Sequence, residues 1–157
     1  MRGQFGRILL VIGILATLAL VAVGIEGYRM EISREAIRRH LALSLVVVLA
    51  LFFAHCWNFL YLSSLGRGLR AFDGLSIDGW RWRERRPTAF ALAAAVISLL
   101  GLFLLGPAAM LDMIPGWFHG VAFVLALALQ VWALVLESRA VSGLERRLRG
   151  LYDSLPA

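Results

Sequence analysis

The chain has 157 residues, 61% of them hydrophobic, and its formal net charge is +6 because 16 arginines outnumber ten acidic residues. Soluble domains are only about 45–50% apolar, so this composition excludes an ordinary soluble domain and indicates a membrane protein. The basic charge does not predict a nucleic-acid partner. The arginines flank apolar stretches, where anionic lipid headgroups are the expected partner.

Four stretches of the chain contain no Asp, Glu, Lys or Arg: Ile8–Ile25, Leu41–Leu62, Thr88–Leu111 and Trp117–Leu136. Each has 18 to 24 residues, and a helix needs about 20 to cross a ~30 Å hydrocarbon layer. We therefore predict an all-α fold, an integral membrane four-helix bundle formed by a single domain over residues 1–157. The predicted spans lie at about 8–27, 41–62, 88–108 and 116–137.

The first stretch also fits a cleavable signal peptide. Arg2 and Arg7 precede it, and Ala22-Val23-Gly24 is a small-x-small triplet of the kind that is cleaved. We interpret the stretch instead as a retained transmembrane helix.

Capping residues and prolines predict several helix boundaries. Ser33 is the expected N-cap of the second helix, with Glu35 in its first turn. Pro107 is expected to end or bend the third span, and Pro115 suits the first turn of the fourth. The Gly74–Pro87 connection mixes Gly, Asp, Trp and Arg and is predicted to be a surface loop.

The distribution of arginines predicts the orientation of the chain. Twelve lie in the N-terminus, the second connection and the C-terminal tail, whereas four lie in the first connection and none in the third. Because arginine-rich loops stay on the cytoplasmic side, we expect both termini to face the cytoplasm. A bacterial inner membrane is the expected location.

Two helices are predicted to continue into the cytoplasm, over about 63–72 and 138–153. Apolar residues recur there at spacings of three and four. These apolar stripes have two interpretations. In the first, they have a structural role and either pack against each other or lie on the membrane surface. In the second, they dock a partner protein. The candidate docking residues are Leu65, Leu69, Phe72, Leu144, Leu148 and Leu151.

Polar side chains inside the predicted spans define a candidate intramembrane site. By depth in their spans, His55 and Gln130 should lie level, and Asn58 shares a helix face with His55. Polar groups in hydrocarbon need partners, so we predict one polar belt of Thr17, His55, Asn58, Ser98 and Gln130. Interhelical hydrogen bonding explains such a belt. An ionisable residue at this depth also fits a proton relay, a haem or metal ligand, or a hydrogen-bond donor to a quinone.

A second candidate site lies at the outer edge of the predicted bundle. His40 opens the second span and His119 opens the fourth, with Glu26 and Asp112 nearby. Two imidazoles and two carboxylates are a permissible set of metal or haem ligands. The alternative is four solvated side chains at headgroup level, and we predict no cofactor, with haem b as the alternative.

Enzyme motifs are missing from the sequence. The absence of Lys excludes a Walker A loop and a Schiff-base lysine, and there is no Gly-x-Ser-x-Gly or His-Glu-x-x-His motif. The leading interpretation is a non-catalytic anchor or accessory subunit of a larger membrane complex. Its partners would be the bilayer and either another protein or a second copy of the chain. The alternatives are an electron-transfer subunit that interacts with haem b or a quinone, and a small oligomeric transporter or channel.

Overall fold

The computed structural model describes the backbone of residues 2–30, 33–72 and 82–153, and the side chains of residues 5–30, 33–66, 86–150 and 153. These residues form α-helices and no strand, which confirms the predicted all-α fold. The helices are α1 (Arg2–Arg29), α2 (Arg34–Phe72), α3 (Trp82–Met110) and α4 (Gly116–Asp153).

Each described helix is long and apolar enough to cross a membrane. The segments that meet this condition are Phe5–Arg29, Arg34–Gly66, Arg86–Met110 and Gly116–Gly150. Helices α2 and α4 have 39 and 38 residues. At ~1.5 Å per residue they are about 57 Å long, nearly twice a ~30 Å hydrocarbon layer. Both helices therefore continue well beyond their charge-free stretches.

The helices pack as two antiparallel hairpins, α1 with α2 and α3 with α4, and α1 contacts α4 between them. Near one end of the bundle, Gly6 of α1 faces Tyr61 of α2. Near the other end, Gly27 of α1 faces His40 of α2. We call these the Arg7 end, where α1 and α3 begin, and the His40 end, where α2 and α4 begin.

Two apolar clusters lie on either side of the middle of the bundle. The main apolar cluster, toward the His40 end, takes residues from all four helices. Its buried members are Ala16, Leu20, Val23, Val47, Val48, Leu51, Leu99, Leu102 and Ala126. The small apolar cluster, toward the Arg7 end, consists of Leu62, Val141 and Leu144, with Leu10, Leu65, Ala140 and Leu148 packed around it.

Small residues allow helices to approach closely at two places. Ala91 and Ala95 of α3 pack against Ala133 of α4, and all three are 0% exposed. A Cβ atom at Gly24 of α1 would overlap the ring of Phe123 in α4. Such contacts are typical of helix pairs in membranes, where packing replaces the hydrophobic effect.

The observed helix ends confirm one predicted boundary and correct two others. Ser33 caps α2 as predicted, since its Oγ accepts from the Ala36 amide over 3.2 Å. Helix α3 continues through Pro107 to Met110, so Pro107 does not end it. It also begins at Trp82, so the described part of the predicted 74–87 loop is helical; residues 73–81 lie outside the described part.

Helix α3 ends in a Schellman motif, a hydrogen-bonded left-handed turn. Asp112 has a φ of 54°, in the left-handed region where glycine is usual. Its amide donates to the Ala109 carbonyl over 3.2 Å, and the Met113 amide donates to the Ala108 carbonyl over 2.9 Å. The backbone bonds of the motif, rather than Pro107, therefore explain where α3 stops.

Candidate functional site

Four buried polar side chains meet between α2 and α4, at the junction of the two hairpins. His55 and Asn58 lie three residues apart on α2, and Gln130 and Glu137 lie seven residues apart on α4. These spacings are about one and two helical turns, so each pair shares a helix face. The four residues are only 0–1% exposed. We call this group the buried polar site.

The His55 imidazole lies between two side chains of α4. Its Nδ1 is 2.7 Å from Glu137 Oε1, and its Nε2 is 2.6 Å from Gln130 Oε1. Asn58 Nδ2 donates to the other carboxylate oxygen, Glu137 Oε2, over 2.7 Å. Gln130 Nε2 donates to the carbonyl of Ala95 in α3 over 2.9 Å. The site therefore connects α2, α3 and α4 and joins the first hairpin to the second.

The pattern of donors and acceptors fixes the proton count of the site. Because Gln130 Nε2 donates to the Ala95 carbonyl, Gln130 Oε1 faces His55 and can only accept. The Nε2 of His55 therefore carries a proton. One further proton lies between His55 Nδ1 and Glu137 Oε1, as imidazolium and carboxylate or as imidazole and carboxylic acid. Both forms have zero net charge, which suits an apolar environment where an isolated charge is costly.

Glu137 was missed at the sequence level and corrects the predicted belt, in which His55 was the only ionisable residue. The predicted span ended at the first charged residue, so Glu137 was assigned to the membrane boundary. The seven-residue spacing from Gln130 was the signal that could have found it, because it places both side chains on one face. A buried carboxylate beside His55 needs that imidazole as a partner.

The predicted belt forms only in part. His55, Asn58 and Gln130 come together, and His55 and Gln130 are level, as their depths predicted. Thr17 and Ser98 instead donate to carbonyls of their own helices, Gly13 over 2.8 Å and Ala95 over 2.7 Å. Thr17 therefore has a local partner, while Ser98 touches the site only through the carbonyl that it shares with Gln130.

The second candidate site, predicted from His40, His119, Glu26 and Asp112, does not come together as one group. His119 lies within electrostatic range of His40. Glu26 forms an ion pair with Arg39, with 2.8 Å between Oε1 and Nη2. Asp112 is exposed in the turn after α3. Among the described residues, no three His, Cys, Asp or Glu side chains are grouped to hold a metal ion, so the haem and metal interpretation stays a prediction.

A second ionic cluster lies at the Arg7 end of the bundle. Arg7 Nη2 is 2.8 Å from Glu145 Oε2, and Arg149 Nη2 is 3.8 Å from the same oxygen. Glu145 is 8% exposed, whereas the Arg7 side chain is 64% exposed. This pair links α1 to α4, so it too joins the two hairpins.

The candidate docking residues that can be located pack inside the chain. Leu144 is 2% exposed and belongs to the small apolar cluster, with Leu65 and Leu148 packed against it. This packing favours the interpretation in which the two apolar stripes contact each other. The side chains of Leu69, Phe72 and Leu151 lie outside the described residues.

Comparisons with models of protein families, with curated proteins and with solved structures give no match to this chain. Function is therefore inferred from the residues and their geometry alone.

Proposed function

We propose that this chain is an integral membrane protein that acts as a non-catalytic anchor or accessory subunit of a larger membrane complex. One observation carries the proposal. Both nitrogens of His55, both oxygens of Glu137 and both polar atoms of Gln130 bond within the chain. A buried network in which these six atoms are paired favours one packing of the helices, and a membrane scaffold requires such a fixed packing.

The outer surface supports insertion into a bilayer. Large apolar side chains are exposed on every described helix, including Leu18 at 61%, Val46 at 64%, Ile97 at 68% and Val124 at 63%. A soluble monomer rarely exposes so continuous an apolar surface, whereas lipid covers it without penalty. The arginine distribution further supports cytoplasmic termini, with the ends of α2 and α4 extending into the cytoplasm. A bacterial inner membrane is the location that we propose.

The partner is proposed to bind where α2 and α4 continue beyond the bilayer. The leucines there contact one another, but Arg139 and Arg146 on the same stretch of α4 are exposed. Exposed guanidinium groups favour an acidic protein surface.

Purification of the full chain from its native membrane in mild detergent tests the proposal. We expect a colourless preparation with one partner chain in stoichiometric amount, identified by mass spectrometry. Arg139→Gln with Arg146→Gln should reduce recovery of that partner at least tenfold. The matched control is Arg34→Gln with Arg38→Gln, two exposed arginines at the opposite end, which should leave recovery unchanged.

A second candidate function is electron transfer with haem b or a quinone. It is favoured by His40 and His119, whose Nδ1 atoms are buried and have no hydrogen-bond partner among the described residues. A reducible haem absorption band that disappears in His40→Ala and His119→Ala would place this function first. A colourless homo-oligomer without a partner chain would instead favour the transporter interpretation.

A further inference from the structure

Two buried oxygen atoms lack a donor among the residues that the structure describes: Asn58 Oδ1 and Glu145 Oε1. Asn58 is 1% exposed and belongs to the buried polar site, while Glu145 is 8% exposed and lies at the Arg7 end. A buried acceptor without a donor gives up the hydrogen bonds that it would make to water, which carries a free-energy penalty. The ligand that suits both oxygens is a small hydrogen-bond donor, and water is the smallest.

The two oxygens lie on opposite sides of the small apolar cluster. Asn58 donates to Glu137 and so lies at its level in the bundle. Glu137 precedes Glu145 by eight residues on α4, which is a rise of about 12 Å. Leu62, Val141 and Leu144 fill the space between these levels and are 0–2% exposed. This barrier has three buried members, and the apolar residues packed around it, Leu10, Leu65, Ala140 and Leu148, are only partly buried. The main apolar cluster on the other side of the site is deeper and draws on all four helices.

A change in the number of protons at the buried polar site would require water or a counter-charge nearby. It holds one proton shared between His55 Nδ1 and Glu137 Oε1. Loss of that proton leaves a net negative charge and gain of a second leaves a net positive charge, so either change needs hydration or a counter-charge. Two side chains of α4 face His55, Glu137 at Nδ1 and Gln130 at Nε2, and the Ala95 carbonyl of α3 accepts from Gln130. Arg7, Glu145 and Arg149 form a separate ionic cluster at the Arg7 end.

We propose that His55 and Glu137 form a proton-binding site that exchanges with water from the Arg7 end alone. Water bound at Asn58 and Glu145 provides the path, and Leu62, Val141 and Leu144 form its barrier. The step is a proton transfer in which a proton leaves a bound water or hydronium for the His55–Glu137 pair, and the reverse step returns it. Such a site would sense or load protons from one face of the membrane, a property that anchoring does not require.

Hydrogen–deuterium exchange at His55 tests the proposal. The full chain, labelled with ¹⁵N-histidine, is placed in lipid nanodiscs and transferred to D₂O, and the loss of the ring N–H signals is timed. The chain has three histidines, and the ring signals that are missing from the spectrum of the His55→Leu variant belong to His55. Leu62→Ser, which adds a hydroxyl to the barrier, should accelerate exchange at least tenfold.

The matched control is Leu99→Ser in the main apolar cluster, because Leu99 is as buried as Leu62, at 1% and 0% exposed. It should leave the exchange rate within about twofold of wild type. If serine unfolds either variant, Val141→Thr and Val48→Thr make the same comparison with isosteric changes. Equal acceleration by both members of a pair, or by neither, overturns the proposal. Wild-type exchange as fast as that of a solvated imidazole overturns it as well.

Discussion

His55 Nδ1 and Glu137 Oε1 lie 2.7 Å apart although the two residues are separated by 82 positions in the sequence. The contact joins the α1–α2 hairpin to the α3–α4 hairpin, and both side chains are 1–2% exposed. Burying two such groups is expensive, and their attraction rarely exceeds what well-packed apolar residues would contribute. We therefore expect the pair to contribute more to the alignment of the two hairpins than to the free energy of unfolding.

We expect His55→Leu or Glu137→Leu alone to destabilise the chain by about 3–5 kcal/mol, because each leaves a buried partner unsatisfied. The double variant should recover part of that loss, because no ionisable group is then left unpaired, although Asn58 and Gln130 each lose a hydrogen-bond partner. Equilibrium unfolding in mixed SDS micelles, followed by circular dichroism, measures the difference.

Cys56→Ala is the control for this series, because Cys56 is a half-buried neighbour of His55 on α2. A change of less than about 1 kcal/mol is expected, since little volume and no hydrogen bond is lost. A double variant as unstable as the sum of the single variants would show that the pair itself stabilises the fold.

Gln130 is expected to hold His55 in one protonation pattern. In wild type, ¹⁵N NMR of the labelled histidines should show a proton on His55 Nε2 at every pH at which the chain is folded. Gln130→Leu removes the acceptor of that proton and should destabilise the chain by about 1–3 kcal/mol, the usual cost of an orphaned buried donor.

Ser98→Ala provides the comparison for Gln130→Leu. Ser98 donates to the same Ala95 carbonyl but does not touch His55, so the His55 ring signals should not shift. An unprotonated Nε2 in folded wild type would contradict the assigned hydrogen-bond directions.

Much of the architecture follows from the charge-free stretches, because hydrocarbon demands continuous helix and excludes charge. Counting depth along two stretches also predicted that His55 and Gln130 would lie level. The same reasoning failed at Glu137, since the first charge after an apolar stretch was taken as the membrane boundary. A charged side chain can be buried in a helix bundle when a partner on another helix pairs with it. The partner of Glu137 is His55, and this pairing appears only in the tertiary fold.

Thr17 and Glu26 show a second limit of sequence reasoning. A threonine hydroxyl can bond to the carbonyl four residues earlier in its own helix, as Thr17 does with Gly13. Its sequence position gives the depth but not the partner. Glu26 was grouped with His40 by proximity along the membrane normal, whereas Arg39 on the facing helix neutralises it.

Gly24→Ala should destabilise the chain by about 1–3 kcal/mol, because the added methyl would displace the Phe123 ring from the contact between α1 and α4. Gly101→Ala is the matched control in α3, where a Cβ atom meets nothing within 4 Å. It should be neutral or stabilise by up to about 1 kcal/mol, since alanine favours helix. Thermal unfolding in detergent compares the two, and an equal response would argue against the close approach at Gly24.

The Arg7–Glu145 pair should stabilise the chain more than a longer and more exposed ion pair does. Arg7→Gln leaves the Glu145 side chain, which is 9% exposed, with Arg149 at the longer distance of 3.8 Å. Arg38→Gln is the control, because Arg38 and Glu35 are 78% and 90% exposed and 4.0 Å apart, a geometry that contributes little. We expect a clearly lower melting temperature for Arg7→Gln than for Arg38→Gln. Glu145→Gln should restore most of the loss when combined with Arg7→Gln, because it removes the stranded charge. Equal melting temperatures for Arg7→Gln and Arg38→Gln would mean that water and lipid headgroups satisfy Glu145 without Arg7.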